Sequence, residues 1–469
     1  MTAATKTATM TIEHITSVYF VGAGGIGMSA LERYFLSKGL AVGGYDRTAC
    51  PLTEKLRAEG AQIHYTDDPE QIPADFRQPQ TTLVVYTPAI PADHKELGWF
   101  KSQGFQIHKR AEVLGALTRQ AKALCVAGTH GKTSTSAMAA HLLHESGVGC
   151  NAFLGGITKN YGTNYLLSDS SPYVVIEADE FDRSFHHLRP FATVITATDA
   201  DHLDIYGTEE AYLESFRHYT SLIQPGGALI VHQGLQMKES LQPGVRRYDY
   251  ARTSGDFHAE NICIGGGRIV FDLVSPFENI QDIELGVPVS INIDNGIAAM
   301  ALAQLAGADA MSIRRAMKTF AGVDRRFDFK LRTAQHVLLS DYAHHPAEIR
   351  QSILSLREVF DDKKITAIFQ PHLYTRTRDF YKDFAESLSL LDEVILTEIY
   401  PAREQPIPGV TSEIIYDNLR PDMERKVVQK SDLPALLREK DFEVLVVLGA
   451  GDVENYMDEF AAILQAKEK

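Results

Sequence analysis

The sequence predicts an α/β protein of three domains, and three observations carry that expectation. Short apolar runs of strand length alternate with longer segments of helical period along most of the chain, the pattern of parallel sheets covered by crossover helices. Two glycine-rich turns, at residues 22–27 and 128–133, each stand between a strand pattern and a helical one. The 469 residues, 44% apolar and 23% charged, can bury several cores, more than one domain of ordinary size needs.

The first section, residues 1–119, opens with a strand at 18–21. The turn Gly22-Ala23-Gly24-Gly25-Ile26-Gly27 follows, then a helix to about residue 38 and a strand at 41–45 ending on Asp46. A later strand, 83–86, runs into a turn at Thr87-Pro88-Ala89. Gly22, Gly24 and Gly27 fit G-x-G-x-x-G, and Asp46 lies one strand later. Taken literally this is a Rossmann-like dinucleotide fingerprint with the acidic residue on a ribose hydroxyl. Physically it states less: a tight turn brings a diphosphate to a helix N-terminus. A nicotinamide cofactor, another nucleotide, and a turn without ligand remain open at this point.

The second section, residues 120–326, begins with a strand at 123–126 and the run Ala127-Gly128-Thr129-His130-Gly131-Lys132-Thr133-Ser134 before an Ala-rich helix, 134–145. That placement makes a phosphate loop. Backbone N–H groups converge on an anion, Lys132 offsets phosphate charge, and the Thr133 hydroxyl suits Mg²⁺. The commoner loop would have glycine at 126, where this chain has Val126. A strand at 173–177 ends in Glu177-Ala178-Asp179-Glu180-Phe181-Asp182. Four carboxylates crowding one strand end repel each other unless a cation sits among them. Glu177 is the first candidate ligand, and a solvated acidic loop is the alternative. A strand at 193–196 leads to Asp199-Ala200-Asp201-His202-Leu203-Asp204, where His202 reads either as a metal ligand or as a structural histidine. A helix near 209–222, a strand-rich stretch at 244–289, and helices at 296–306 and 312–320 complete the section.

The third section, residues 327–469, alternates again. Strands are expected at 337–341, 365–369, 393–397 and 444–448, and helices at 347–359 and 378–390. Asp341-Tyr342-Ala343-His344-His345-Pro346 lies at one strand end and Gln370-Pro371-His372 through Arg376-Thr377-Arg378 at the next. Ligands of parallel sheets bind at such ends. Arg376 and Arg378 therefore read either as planar clamps for carboxylate or phosphate or as surface arginines at a helix start.

The formal net charge of −15 excludes broad, non-specific nucleic-acid binding. Cys50, Cys125, Cys150 and Cys263 form no close pair, so neither a disulfide framework nor a zinc site is expected. Residues 1–11 lack the apolar core of a secretory signal, and no apolar run approaches the ~20 residues that span a bilayer. A cytoplasmic protein with no nucleic-acid or membrane partner, a monomer or weak homodimer, is expected.

With these motifs in order, the chain resembles the Mur ligases. The resemblance rests on Gly-Thr-His-Gly-Lys-Thr at 128–133, Glu-Ala-Asp-Glu at 177–180, Asp-His-Leu-Asp at 201–204, Arg-Arg-Phe-Asp at 325–328, His-His-Pro at 344–346 and Gln-Pro-His-x-x-x-Arg-Thr-Arg at 370–378. It implies a Rossmann-like N-terminal domain, a P-loop ATPase-like central domain with a mainly parallel sheet, and a Rossmann-like C-terminal domain. It implies ATP-dependent joining of L-alanine to UDP-N-acetylmuramate through an acyl phosphate, the first step of peptidoglycan stem-peptide synthesis. Gly22, Gly24, Gly25, Ile26, Gly27 and Asp46 then hold the UDP-sugar. Gly128, Thr129, His130, Gly131, Lys132, Thr133 and Ser134 hold the ATP phosphates, and Asn292, Asn295, Arg326 and Asp341 complete the nucleotide site. Thr133, Glu177 and His202 take Mg²⁺. Lys132, His202, His345, Arg376 and Arg378, with His344, are the expected reaction residues.

Two departures accompany the resemblance: Ile291 stands where the family usually has histidine, and Phe181 where serine is frequent. The helix after the histidine motif offers Arg217 and no nearby lysine, so no carbamylated lysine is expected. Rival readings are a recycling ligase that joins a tripeptide to the same UDP-sugar, a nicotinamide-dependent oxidoreductase and a non-catalytic nucleotide switch.

Overall fold

A computed structural model describes residues 14–87, 90–91, 93–199, 203–402 and 404–468. Its contacts divide the chain into two compact units. One comprises residues up to 258 with 274–279 and 297–316; the other comprises 259–273, 280–296 and 317 onward.

The first unit contains two sheets. A five-stranded parallel sheet has the order Gln62–His64, Ala41–Tyr45, Ser17–Val21, Thr82–Tyr86, Gln106–Lys109. Its three central strands are mostly apolar and buried, with Ser17–Val21 buried throughout, whereas the edge strands Gln62–His64 and Gln106–Lys109 are mixed and partly exposed. The turn expected at Pro88 and Ala89 lies outside the described residues. A seven-stranded sheet follows, with the order Arg246–Tyr250, Ala228–His232, Pro190–Ile195, Lys122–Ala127, Tyr173–Glu177, Asn151–Thr158, Thr163–Leu166. All its pairs are parallel except the last, an antiparallel hairpin.

Helix Ile26–Ser37 belongs to the first sheet and packs on that hairpin. Tyr34 sits 5.7 Å from the Phe153 ring and 6.4 Å from the Tyr165 ring. Buried Asn164 donates to the Ile26 carbonyl at 2.5 Å and accepts from Arg33 at 2.9 Å. Each of these groups is paired where an unpaired one would be costly, so the helix start and the hairpin are held in one arrangement.

The second unit also contains two sheets. Strands His258–Gly265, Arg268–Val274 and Ile280–Glu284 form a small one. The larger, six-stranded sheet has the order Asp328–Arg332, Val337–Asp341, Val444–Leu448, Ile365–Phe369, Glu393–Leu396, Glu424–Val427, with only the first pair antiparallel.

Two helices start earlier than expected. One runs Ile291–Leu305 instead of from residue 296, because Asn292 and Asp294 break the apolar pattern while still occupying its first turn. The other runs Tyr374–Leu388 instead of from 378. Its polar first turn hides the helical period, and Leu373 enters it with φ of 72°, a conformation sequence does not announce. Among the described residues no helix is long and apolar enough to cross a membrane.

Candidate functional site

The phosphate loop leaves buried strand Lys122–Ala127 and enters helix Lys132–Glu145. Gly128 at φ 130° and Gly131 at φ 79° take conformations that disfavour side chains. A Cβ on Gly128 would also lie 2.8 Å from the Ala197 nitrogen. Thr129 is fixed by its N–H to Ala197 O at 3.1 Å and its hydroxyl to Asp199 O at 2.8 Å. The Thr196 hydroxyl donates to the His130 carbonyl. His130 Nε2 lies 3.6 Å from Asp199. Val126, in place of the usual glycine, is a fully buried strand residue.

Lys132 is the first residue of the helix, and its ammonium turns back over the loop. It donates to Gly128 O at 2.6 Å and to Glu180 Oε1 at 2.9 Å, with Thr129 O at 3.4 Å. Its side chain is 15% exposed and that of Glu180 only 2%. Burial alone would lower the Lys132 ammonium, but the carboxylates of Glu180, Glu177 and Asp179 outweigh it and the net direction is upward. Burial also raises the Glu180 carboxyl, against the pull of Lys132. The two tendencies oppose each other, and the short direct contact favours the ionised pair.

Thr133 and Glu177 meet directly, with Thr133 Oγ1 donating to Glu177 Oε1 at 3.1 Å. The other carboxylate oxygen, Oε2, accepts the Gly155 N–H at 3.1 Å. Gly155 had no place in the sequence reading. Two adjacent glycines inside Asn151–Thr158 weaken the strand pattern, and the carboxylate lying against Gly155 is what requires it. A Cβ there would be 2.5 Å from Glu177 Oε1.

The four carboxylates face separate neighbours in the fold. Each has its own partner: Glu177 takes Thr133 and Gly155, Asp179 faces Arg110 at 3.8 Å, Glu180 holds Lys132, and Asp182 binds Lys109 at 2.8 Å. Asp182 and Arg183 adopt φ of 50° and 55°, so the backbone turns after Phe181. Phe181 is 37% exposed. His202 lies outside the described residues. Arg217 pairs with Glu214 at 3.2 Å on an exposed helix face.

The first glycine turn completes this unit's site. Gly22, at φ 95°, would bring a Cβ within 2.8 Å of Thr87. The Gly24 N–H donates to Asp46 Oδ2 at 2.6 Å, and Thr48 N–H reaches Oδ1 at 3.2 Å. Asp46 therefore braces the turn in this structure. Gly25 caps helix Ile26–Ser37, and Ile26 is 37% exposed at its start. A Cβ on Gly27 would lie 2.7 Å from the Arg110 guanidinium. Residues 25–27 form one wall of a cavity of about 320 Å³; Gly155, Glu177 and Asp179 line it too, with Arg110 between. One partly open cleft thus connects the glycine turn to the carboxylate beside Thr133.

The other unit holds the remaining expected residues. Asn295 Nδ2 donates to Asn292 Oδ1 at 3.1 Å, and Asn292 Nδ2 to Val287 O at 3.2 Å; both are buried in the first turns of their helix, which begins at Ile291. Asp341 is buried, hydrogen-bonded by Ser352, and pushed up to about 6 by burial. Arg326 and Arg325 flank the Tyr342 ring at 4.9 and 4.7 Å. His344 Nδ1 contacts Tyr342 O at 3.0 Å and Glu348 at 3.3 Å; burial keeps its imidazole below the usual range despite Glu348. The His345 ring stands edge-on to Phe380. Arg376 buries Nη1 without a hydrogen-bond partner among the described residues, whereas exposed Arg378 pairs with Asp379 at 2.7 Å.

Comparison with known proteins bears on this arrangement. Three family models match in succession: "Mur ligase family, catalytic domain" at residues 17–122, "Mur ligase middle domain" at 126–303, and "Mur ligase, glutamate ligase domain" at 325–451. A UDP-N-acetylmuramate–L-alanine ligase of Phocaeicola vulgatus is 67% identical over 98% of this chain and 100% of that protein. One from Parabacteroides distasonis is 57% identical over 97% and 98%. The crystal structure of the UDP-N-acetylmuramate–alanine ligase of Thermotoga maritima superposes with a TM-score of 0.80 at 28% identity, covering 96% of this chain and 99% of that one. A murein peptide ligase of Psychrobacter arcticus, 20% identical, shares the fold with a TM-score of 0.66 over 96% and 98%. A phosphate loop braced by Glu180, a Thr133–Glu177 pair and matches of this extent agree: the chain belongs to the Mur ligase family.

Proposed function

We propose that this chain joins L-alanine to UDP-N-acetylmuramate at the expense of ATP, as an early step of peptidoglycan precursor synthesis. The supporting observation is the cavity that links residues 25–27 of the glycine turn to Glu177, whose carboxylate accepts from Thr133. A sugar acid anchored by its diphosphate at a helix N-terminus would extend its carboxylate toward a bound nucleotide triphosphate. No feature of this unit calls for a nicotinamide ring, and an oxidoreductase would leave Lys132 and Glu177 without a task.

The working division is three domains, 1–119 for the UDP-sugar, 120–326 for ATP and 327–469 for the amino acid and nucleotide. Thr133 and Glu177 present hard oxygen donors, the chemistry Mg²⁺ prefers, and Gly155 leaves room for the carboxylate. These residues, with His202 from the family resemblance, would hold the ion, which supplies charge neutralisation for phosphates. Lys132 meets the β and γ phosphates and lowers the repulsion between two anions.

A carboxylate oxygen of the sugar acid attacks the γ-phosphorus in line, the bond to the β,γ-bridging oxygen breaks, and ADP leaves with that electron pair. The amine of L-alanine then attacks the acyl carbon. The resulting tetrahedral centre expels phosphate, and the amine proton is lost. Neutral His344 is suited to receive it, since burial keeps the ring unprotonated near pH 7. Arg376, with its buried unpaired nitrogen, is suited to the amino-acid carboxylate or the transferring phosphate. The site of action is the cytoplasm, where ATP and nucleotide sugars are available.

The experiment mixes ATP, UDP-N-acetylmuramate and L-alanine and follows phosphate release. Release that requires both co-substrates supports the proposal. Release without either, or with a tripeptide in place of alanine only, overturns it.

A further inference from the structure

The cavity between the glycine turn and Glu177 is poorly matched in charge to an anionic occupant. Its ionisable lining is two carboxylates, Glu177 and Asp179, and a single basic residue, Arg110. Arg110 opens helix Arg110–Gln120, whose start is fixed by Glu112 accepting the Lys109 N–H at 2.7 Å. Its guanidinium lies over Gly27, where any Cβ would approach it to 2.7 Å. It makes no hydrogen bond among the described residues. Its nearest acid is Asp179 at 3.8 Å, too far for a hydrogen bond. A forked cation with unused donors, laid along the wall of a phosphate-binding turn, is a receptor for paired anionic oxygens.

We infer that Arg110 binds an anionic group of the UDP-sugar acid, its diphosphate or its carboxylate, and that Asp179 is the resting counter-ion which the substrate displaces. This rests on the UDP-sugar reading above and adds a specific contact to it. Because the glycine turn supplies only neutral N–H donors, Arg110 provides the full positive charge on that wall. A side chain at Gly27 would displace the guanidinium from that wall.

The test measures binding of UDP-N-acetylmuramate, UDP-N-acetylglucosamine and ATP to the full-length protein by calorimetry, comparing wild type with Arg110→Gln, Arg110→Lys and Asp179→Asn. Arg110→Gln is expected to weaken UDP-N-acetylmuramate by roughly ten- to a hundredfold, the range of charge-assisted hydrogen bonds. Arg110→Lys recovers part of the loss, and ATP affinity is unchanged, which excludes unfolding. If UDP-N-acetylglucosamine, which lacks the carboxylate, weakens equally, Arg110 serves the diphosphate; if it is unaffected, Arg110 serves the carboxylate. Asp179→Asn is expected to tighten the sugar nucleotide a few-fold through loss of the competing charge. Equal affinity of Arg110→Gln and wild type for UDP-N-acetylmuramate overturns the inference, and weaker binding by Asp179→Asn overturns the counter-ion role. Failure of the wild type itself to bind either sugar nucleotide overturns the underlying functional reading instead.

Discussion

Gly155→Ala is a one-carbon perturbation aimed at a single carboxylate. The built Cβ would lie 2.5 Å from Glu177 Oε1 and 2.6 Å from Cδ, against 3.4 Å for ordinary contact, so the carboxylate must move by about 1 Å. Gly155 is not among the glycines of positive φ, so alanine strains no backbone there. The displacement pulls Glu177 away from Thr133 and stretches its bond from the Gly155 N–H. Metal–ligand distances tolerate only about 0.2 Å, and disturbing the groups that orient a ligand costs roughly 10- to 100-fold in metal affinity or activity. The expected outcome is a Mg²⁺ activation constant raised by about that factor and a kcat lowered about a hundredfold, the scale of a 1 Å misplacement. The assay is phosphate release at saturating ATP, UDP-N-acetylmuramate and L-alanine while Mg²⁺ is titrated, with a thermal melt to confirm folding. A folded variant that stays within about threefold of wild type at every Mg²⁺ concentration would refute the placement of Glu177 at the metal.

Three further outcomes follow from the same geometry. Lys132→Met strands the buried Glu180 carboxylate and should destabilise the fold by about 3–5 kcal/mol, read from the urea midpoint; adding Glu180→Gln should restore stability without restoring phosphate release, and parallel recovery of both would contradict the catalytic role. Glu96 is buried, accepts the Tyr19 hydroxyl at 2.7 Å, and is raised by burial from its usual 4.5 to about 7. Since the folded value lies above the unfolded one, its contribution is complete below pH 4.5 and is lost as pH rises to about 7, a decline of about 3 kcal/mol. Glu96→Gln should therefore lose less stability than wild type between those values, and identical pH profiles would sink the assignment. Arg376→Ala should raise the KM for L-alanine by roughly 10- to 100-fold, as loss of a charged hydrogen bond does, with ATP binding unaffected; an effect on ATP alone would point to a different role.

How much of this was legible in the sequence depends on how local each feature is. The phosphate loop was plain, since its glycines, Lys132 and Thr133 act within a single turn between a strand and a helix. Glu177 was equally accessible, because parallel strands put their ends side by side and it ends the strand paired to Lys122–Ala127. The fates of Asp179, Glu180 and Asp182 were not legible. Lys109 reaches Asp182 across 73 positions and Lys132 reaches Glu180 across 48, and no periodicity records such pairs. The sequence shows four like charges close together, whereas the fold gives each a separate neighbour. Gly155 escaped because glycine inside a strand carries no pattern, only a vacancy beside something else. Asp46 shows the converse. Its spacing announces a ribose contact, while the structure occupies one of its oxygens with the Gly24 N–H.

The two principal cations of the first unit are held in different ways, and this difference bears on how each anion enters. Lys132 has three donors, and only one is needed by Glu180; Gly128 O, with the more distant Thr129 O, occupies the rest. Phosphate oxygens can replace these neutral carbonyls without breaking the buried ion pair, and the exchange favours phosphate because charged acceptors bind more strongly. Glu180 then acts throughout as the fixed end of the lysine, keeping a long side chain from paying its rotamer entropy at each turnover. Arg110 has no such anchor, since among the described residues its one acidic partner, Asp179, is 3.8 Å away and 38% exposed. An arriving sugar acid must replace that whole partner, so the electrostatic gain is the difference between two anions and falls as salt rises. If Lys132 meets ATP and Arg110 the sugar acid, as proposed, the ATP side of the site is preorganised by burial, while the sugar side is set by competition between carboxylate and substrate. Raising ionic strength should accordingly weaken the sugar nucleotide more than it weakens the phosphate grip of Lys132.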